Sequence, residues 1–210
     1  MRWPLAILLA CAASGETLDR IAATIGKQVI AESQIVEEIR ITAFIEGQKP
    51  DLRGPSKRQA AERLVERTLV ERELALTRYA LPEQKDIGPL LDQVKSRYPA
   101  DEAFRAALIE AGVSESQVER HFQLQVQILR FLDYRFRPAV QITEEEIAEL
   151  YGKQSAEWKS KRADPPPALD ASRADLIAVL TRERADRALD RWLGEARTRE
   201  QIVYREAVFK

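Results

Sequence analysis

Residues 21–46 read IAATIGKQVIAESQIVEEIRITAFIE, and within them the hydrophobic period changes from that of a strand to that of a helix. Two short β-prone runs, 21–25 and 28–31, flank Gly26-Lys27. That pair fits a two-residue hairpin turn of the II′ kind, which needs glycine at its first central position because φ must be positive there. Ser33 then stands where a helix N-cap belongs. Beyond it Ile35, Ile39 and Ala43, with Val36 beside them, recur at helical spacing to about Glu46. A small hairpin followed by an amphipathic helix is the expected opening of the fold.

Working outward, GQKPDLRGPS (47–56) is a loop by its glycine and proline content. Ser56 with Gln59 has the pattern of a capping box, and the helix it would start carries Ala61, Leu64, Val65, Leu69 and Leu76 on one side. The chain turns around Pro82. Leu90, Leu91 and Val94 predict a helix that stops before Tyr98-Pro99. Phe104, Leu108 and Ile109 mark a short one, and Gly112 suits the left-handed position after it. Ser114 and Gln117 form a second box, ahead of a long stripe of Val118, Phe122, Val126, Leu129 and Phe136. Thr143 and Glu146 form a third, before Ile147, Leu150, Tyr151 and Trp158. Ser172 and Asp175 are read as opening the last helix, whose apolar residues include Leu176, Val179, Leu180, Leu189, Trp192 and Leu193. The closing QIVYREAVF (201–209) is either a strand or the frayed end of that helix. The sum is a mainly α protein with a little β at its ends.

The 210 residues suffice for one domain with a real core: 45% are hydrophobic and 32% charged. Acids and bases nearly cancel, at a formal charge of −1, so the concentrated basic excess of a nucleic-acid binder is missing. The first stretch, MRWPLAILLACAASGE, has a positive charge, a short apolar run and then small residues. It is too short to span a bilayer, which takes roughly 20 apolar residues. Residues 1–15 are therefore expected to be an export signal. Cys11, the single cysteine, sits in LLAC like the lipidated cysteine of a bacterial lipoprotein signal, and ordinary cleavage after ACA or AAS competes with that reading. Either way the folded part would carry no disulfide.

Catalytic constellations are scarce. His121 is the only histidine, beside an apolar stripe, and its simplest reading is a partly exposed helical residue. No Ser-His-Asp or Cys-His set stands out. The acids of TEEEIAEL suit a helix start better than a metal site. No glycine loop cradles a phosphate. No catalytic, cofactor-binding or metal-binding residue is expected, and no cofactor. The basic group Lys153, Lys159, Lys161 and Arg162 is explained by a helix C-terminus, with an anionic lipid head group as the competing reading.

Five stretches, in order, carry a resemblance. LDRIAATIGKQVIAESQI resembles the opening of the SurA-like periplasmic chaperones, a hairpin running into a helix. RQAAERLVERTLVERELAL resembles their second helix, and FRAALIEAGVSESQVERHFQLQVQILRFL their short helix, glycine turn and long amphipathic helix. ITEEEIAELY resembles the segment that leads into a parvulin-type prolyl isomerase domain. RADLIAVLTRERADRALDRWLGEAR resembles the C-terminal helix that packs back on the N-terminal module. The resemblance covers nearly all of residues 18–206; each motif is weak alone, and their order is the more specific part.

The family places one or two isomerase domains between the last two segments. Here residues 152–171, charged and rich in proline (Pro165, Pro166, Pro167), are too few for an independent core. The parvulin histidines are absent as well, and His121 falls in the chaperone helix. The resemblance thus implies a helical chaperone module with an N-terminal hairpin and a C-terminal helix packed back on it. Residues 16–151 would form its first part, 152–171 a spacer and 172–210 its completion. It implies a non-catalytic holdase of the periplasm or cell envelope for unfolded or nascent exported polypeptides, outer-membrane proteins among them. No nucleic acid is expected, and membrane contact only through lipidated Cys11. The alternatives are a dedicated assembly factor of the cell envelope and, third, an undetected prolyl isomerase. Oligomeric state stays open. Phe44, Phe104, Tyr134 and Phe136 are the candidate client contacts, since aromatics supply large contact area, with Arg135 and Arg137 flanking Phe136.

Overall fold

The computed structural model describes residues 19–77, 84–136, 141–162 and 164–210. Strands β1 (Ile21–Ile25) and β2 (Gln28–Ala31) form the expected hairpin, with Ile25 opposite Gln28 and φ +55° at Gly26. The chain passes straight from Ala31 into α1 (Glu32–Glu46). Then follow α2 (Gly54–Thr77), α3 (Gln84–Lys95), α4 (Asp101–Ala111), α5 (Glu115–Phe136), α6 (Glu144–Lys161) and α7 (Leu169–Arg199). The last segment is a strand and not a frayed helix. β3 (Ile202–Tyr204) pairs antiparallel with β1, giving the order β2-β1-β3, and a 3-10 turn at Glu206–Val208 follows. The protein is mainly α with a small antiparallel sheet.

Two capping expectations hold and two are corrected. At α5 the Ser114 N–H donates to Gln117 Oε1 (2.7 Å) and the Gln117 N–H to Ser114 Oγ (3.3 Å). At α6 Thr143 and Glu146 exchange the same pair of bonds, at 2.9 and 3.4 Å. Ser33, by contrast, lies inside α1. Because β2 runs directly into the helix, the N-cap position falls on Ala31, which has no acceptor side chain, and Asp19 supplies the missing oxygen. The Ser33 N–H donates to Asp19 Oδ1 (3.2 Å), and the Ser33 hydroxyl donates to the same carboxylate. Gln34 accepts from the Ala31 N–H at 2.8 Å. Ser56 likewise sits in the first turn of α2 and donates to Asp51 Oδ2 at 2.6 Å. Two further hydrogen bonds from the Arg53 side chain help hold Asp51 well below the usual carboxylate range.

The spacer set at 152–171 narrows to 162–168. Residues up to Lys161 continue α6, and α7 starts at Leu169, three residues ahead of the expected Ser172. The prolines hold the chain extended before that start. This turn is fastened to α6: the Tyr151 hydroxyl donates to Pro167 O (2.9 Å) and Trp158 Nε1–H to Asp164 O (3.0 Å). Arg173 and Arg184 of α7 pair with Glu144 and Glu146 of α6. Ile147 and Leu176 are the buried large residues of this two-helix unit.

Among the described residues, three apolar clusters organise the core. One joins Ala23 and Ile25 of β1 to Ile35 of α1, Val65 of α2, Ala196 of α7 and Val208. A second gathers Phe44 of α1, Ile87 and Val94 of α3, Phe104 of α4 and Phe122 of α5. The third sets Val70 and Leu74 of α2 on Phe131 of α5, with Trp192 and Leu193 of α7 against them. The C-terminal helix therefore returns to the N-terminal elements and shares their cores. Two residues assigned to apolar faces by spacing, Leu76 and Ile109, stand 79% and 80% exposed.

Candidate functional site

The helical period of α5 puts Leu129, Leu132 and Asp133 in one stripe, one turn apart. On α7, Ala178, Arg182 and Ala185 fall in a second stripe, with Val179 and Asp186 beside it. These residues line a groove of about 470 Å³ between the two helices. Ala178 and Ala185 make it concave because their side chains end at Cβ. Its apolar lining is open to water, with Leu129 58% and Val179 38% exposed. Beneath it Phe131 is buried and fixes the seat of α5 against α2. Asp133, Asp186 and Arg182 give the groove charged rims. It can hold apolar side chains of a flexible segment without any covalent step.

The aromatic residues expected to contact a client do not converge on one surface. Phe44 and Phe104 are buried in the second cluster, 5.9 Å apart between ring centroids, and serve as core. Helical spacing gave each a face without saying that α3, α4 and α5 would all close over it. Phe136 is half-buried, edge-on to Phe131 at 6.4 Å. Arg135 meets Glu73 of α2 at 3.6 Å, and its guanidinium lies 5.9 Å from the Phe136 ring centre. Tyr134 is exposed, but it follows Leu132 by about 200° of helix rotation and so faces away from the groove. Arg137, Cys11 and the signal at 1–15 lie outside the described residues.

A second feature was missed in the sequence. His121, expected to be partly exposed, is only 8% exposed, and Glu38 only 5%. They meet where α1, α2 and α5 cross. The Arg67 guanidinium donates to Glu38 Oε1 at 2.7 Å, while His121 Nδ1 is 3.8 Å from Glu38 Oε2. The Gln125 amide lies 2.8 Å from His121 Nε2, so with the amide donating, the imidazole proton sits on Nδ1, facing Glu38. Burial pushes the His121 pKa below its ordinary value; Glu38 opposes this shift, and Arg67 and Arg63 add to it. A cleft of about 200 Å³ opens beside the cluster, lined among others by Glu37, Gln117 and Arg120. The legible signal was Glu38 itself, a charge placed three residues after Ile35 within the apolar stripe of α1.

Three residues of the basic group at the end of α6 have local contacts. Lys153 pairs with Glu149 (2.7 Å) and Lys161 with Glu157 (2.5 Å), and the Arg162 guanidinium stacks 4.0 Å from the Trp158 ring centre. Among the described residues no group of three or more His, Cys, Asp or Glu side chains could hold a metal ion, and no helix is long and apolar enough to cross a membrane. No protein-family model matches the chain, and no curated protein matches it.

Proposed function

We propose that the chain is a non-catalytic holdase of the SurA-like kind, acting outside the cytoplasm on unfolded exported polypeptides, outer-membrane proteins among them. The observation that carries this reading is the α5–α7 groove: a concave, water-exposed apolar surface, made where the C-terminal helix returns to the N-terminal module, with charged rims. Such a surface offers many weak contacts to a chain that stays largely disordered. Affinity per contact is therefore modest and binding reversible without ATP. The ordered series of sequence resemblances supports the same reading, as does the short 162–168 connection where the family carries an isomerase domain.

The test is aggregation of an unfolded outer-membrane β-barrel protein diluted from urea, followed by light scattering with the purified chain or with an inert protein. Suppression near stoichiometric amounts is expected. It should be lost in the double variant Leu129→Asp/Val179→Asp while the far-UV circular dichroism stays unchanged. Unchanged scattering with folded wild-type protein, together with one tight, saturable partner in a pull-down, would replace the holdase by a dedicated assembly factor.

A further inference from the structure

We propose that the crossing of α1, α2 and α5 is an acid-sensitive latch: protonation of buried His121 loosens the seat of α5 and, with it, the groove wall formed by Leu129 and Leu132. The first half stands on the Glu38–Arg67–His121 cluster and the burial of its imidazole; its coupling to client binding rests on the holdase reading.

Burial is the first reason a proton is unwelcome on the imidazole, and the charges facing it act in both directions on top of that. From α1 come Glu38 and, at the cleft margin, Glu37. Arg67 already neutralises Glu38 through its 2.7 Å bond, and Gln117 Nε2–H engages Glu37 at 2.8 Å. From α2 come Arg63 and Arg67, both opposing a further positive charge. From α5 itself come Arg120, lining the same cleft, and the neutral amide of Gln125. An imidazolium here adds a cation to a balanced Glu38–Arg67 pair away from bulk water. Water can reach it most easily if the cleft widens, so acid favours the opened junction. The sign follows: the closed form binds the proton more weakly than the open or unfolded chain. The stabilisation from neutral His121 is thus complete above the ordinary value of 6.5 and is lost as pH falls through 6.5 towards and past the lower folded value. Because α5 is one continuous helix, the movement carries from His121 to Leu129, two turns further on. In a compartment without ATP, pH is an available driver of release.

His121 is the only histidine, so its imidazole proton resonances can be followed by NMR in the full-length chain without ambiguity. The expected titration midpoint lies below 6.5, and Glu38→Gln should lower it further by removing the opposing carboxylate. The denaturant midpoint of the wild type should fall between about pH 7.5 and pH 5.5. That fall should shrink in His121→Gln, with His121→Phe as a second variant if the first does not fold. A wild-type midpoint at or above 6.5, or an undiminished fall in both folded variants, overturns the latch. For the coupling, client bound at neutral pH should be released by the wild type at pH 5.5 and retained by the variant. Equal retention by both overturns the coupling. No client binding at any pH, beside a low titration midpoint, overturns the holdase reading and leaves the latch standing.

Discussion

At the level of single residues, two positions show how much depends on what lies across the fold. Gly54 opens α2, and a Cβ added there would lie 1.9 Å from the Phe209 carbonyl oxygen. That partner is backbone and cannot swing aside. Gly54→Ala is therefore expected to displace the C-terminal segment at a cost of about 1–3 kcal/mol, read as a lower denaturant midpoint with faster proteolysis after Arg199. Glu38 is the other. Glu38→Ala leaves Arg67 and His121 facing each other without their carboxylate, and should cost about 3–5 kcal/mol in chemical denaturation. The isosteric Glu38→Gln should cost clearly less. Neither consequence can be read from local sequence, since Phe209 is far along the chain from Gly54, and Arg67 and His121 belong to other helices.

At the level of elements, caps and turns were legible where the signal is contained in four consecutive residues. The Ser114–Gln117 and Thr143–Glu146 boxes, the positive φ of Gly26 and the left-handed Gly112 (φ +65°) all occur as expected. Thr143→Ala should remove about 1 kcal/mol of helix stability, seen as faster amide exchange in the first turn of α6 with α1 to α4 unaffected. The Ser33 and Ser56 expectations failed for one shared reason. Each serine lies inside its helix and gives its hydroxyl to a carboxylate before it in the chain, Asp19 or Asp51, and Asp19 also accepts the Ser33 N–H. Asp19 reaches its helix only once the hairpin has folded back. Asp19→Ala should therefore destabilise α1 by about 1 kcal/mol, as a sequence-local Ser33 cap would not predict; amide exchange at Ser33 is the check.

At the level of the whole molecule, the C-terminus completes the first core. β3 supplies the third strand, and the Arg58 guanidinium lies 3.8 Å from the Tyr204 ring centre while donating to Glu206 at 2.7 Å. Removing residues 200–210 uncovers β1 and deletes Val208 and the half-buried Ile202, Tyr204 and Phe209 from that cluster. The expected loss exceeds about 3 kcal/mol, measured as a large drop in the unfolding midpoint with exposed apolar surface detected by dye binding.

The sequence by itself determined the helical class, the hairpin, most element positions and the candidate faces, because periodicity, turn chemistry and capping boxes act over a few neighbouring residues. Tertiary structure alone decided which candidate aromatics are surface and which are core. It also joined Glu38, Arg67 and His121 into one cluster, and brought Ala178 and Ala185 of α7 to the same groove as Leu129 of α5. Those properties depend on distances between elements far apart in the chain, and such distances are set by how the helices pack together and not by any one helix's own pattern.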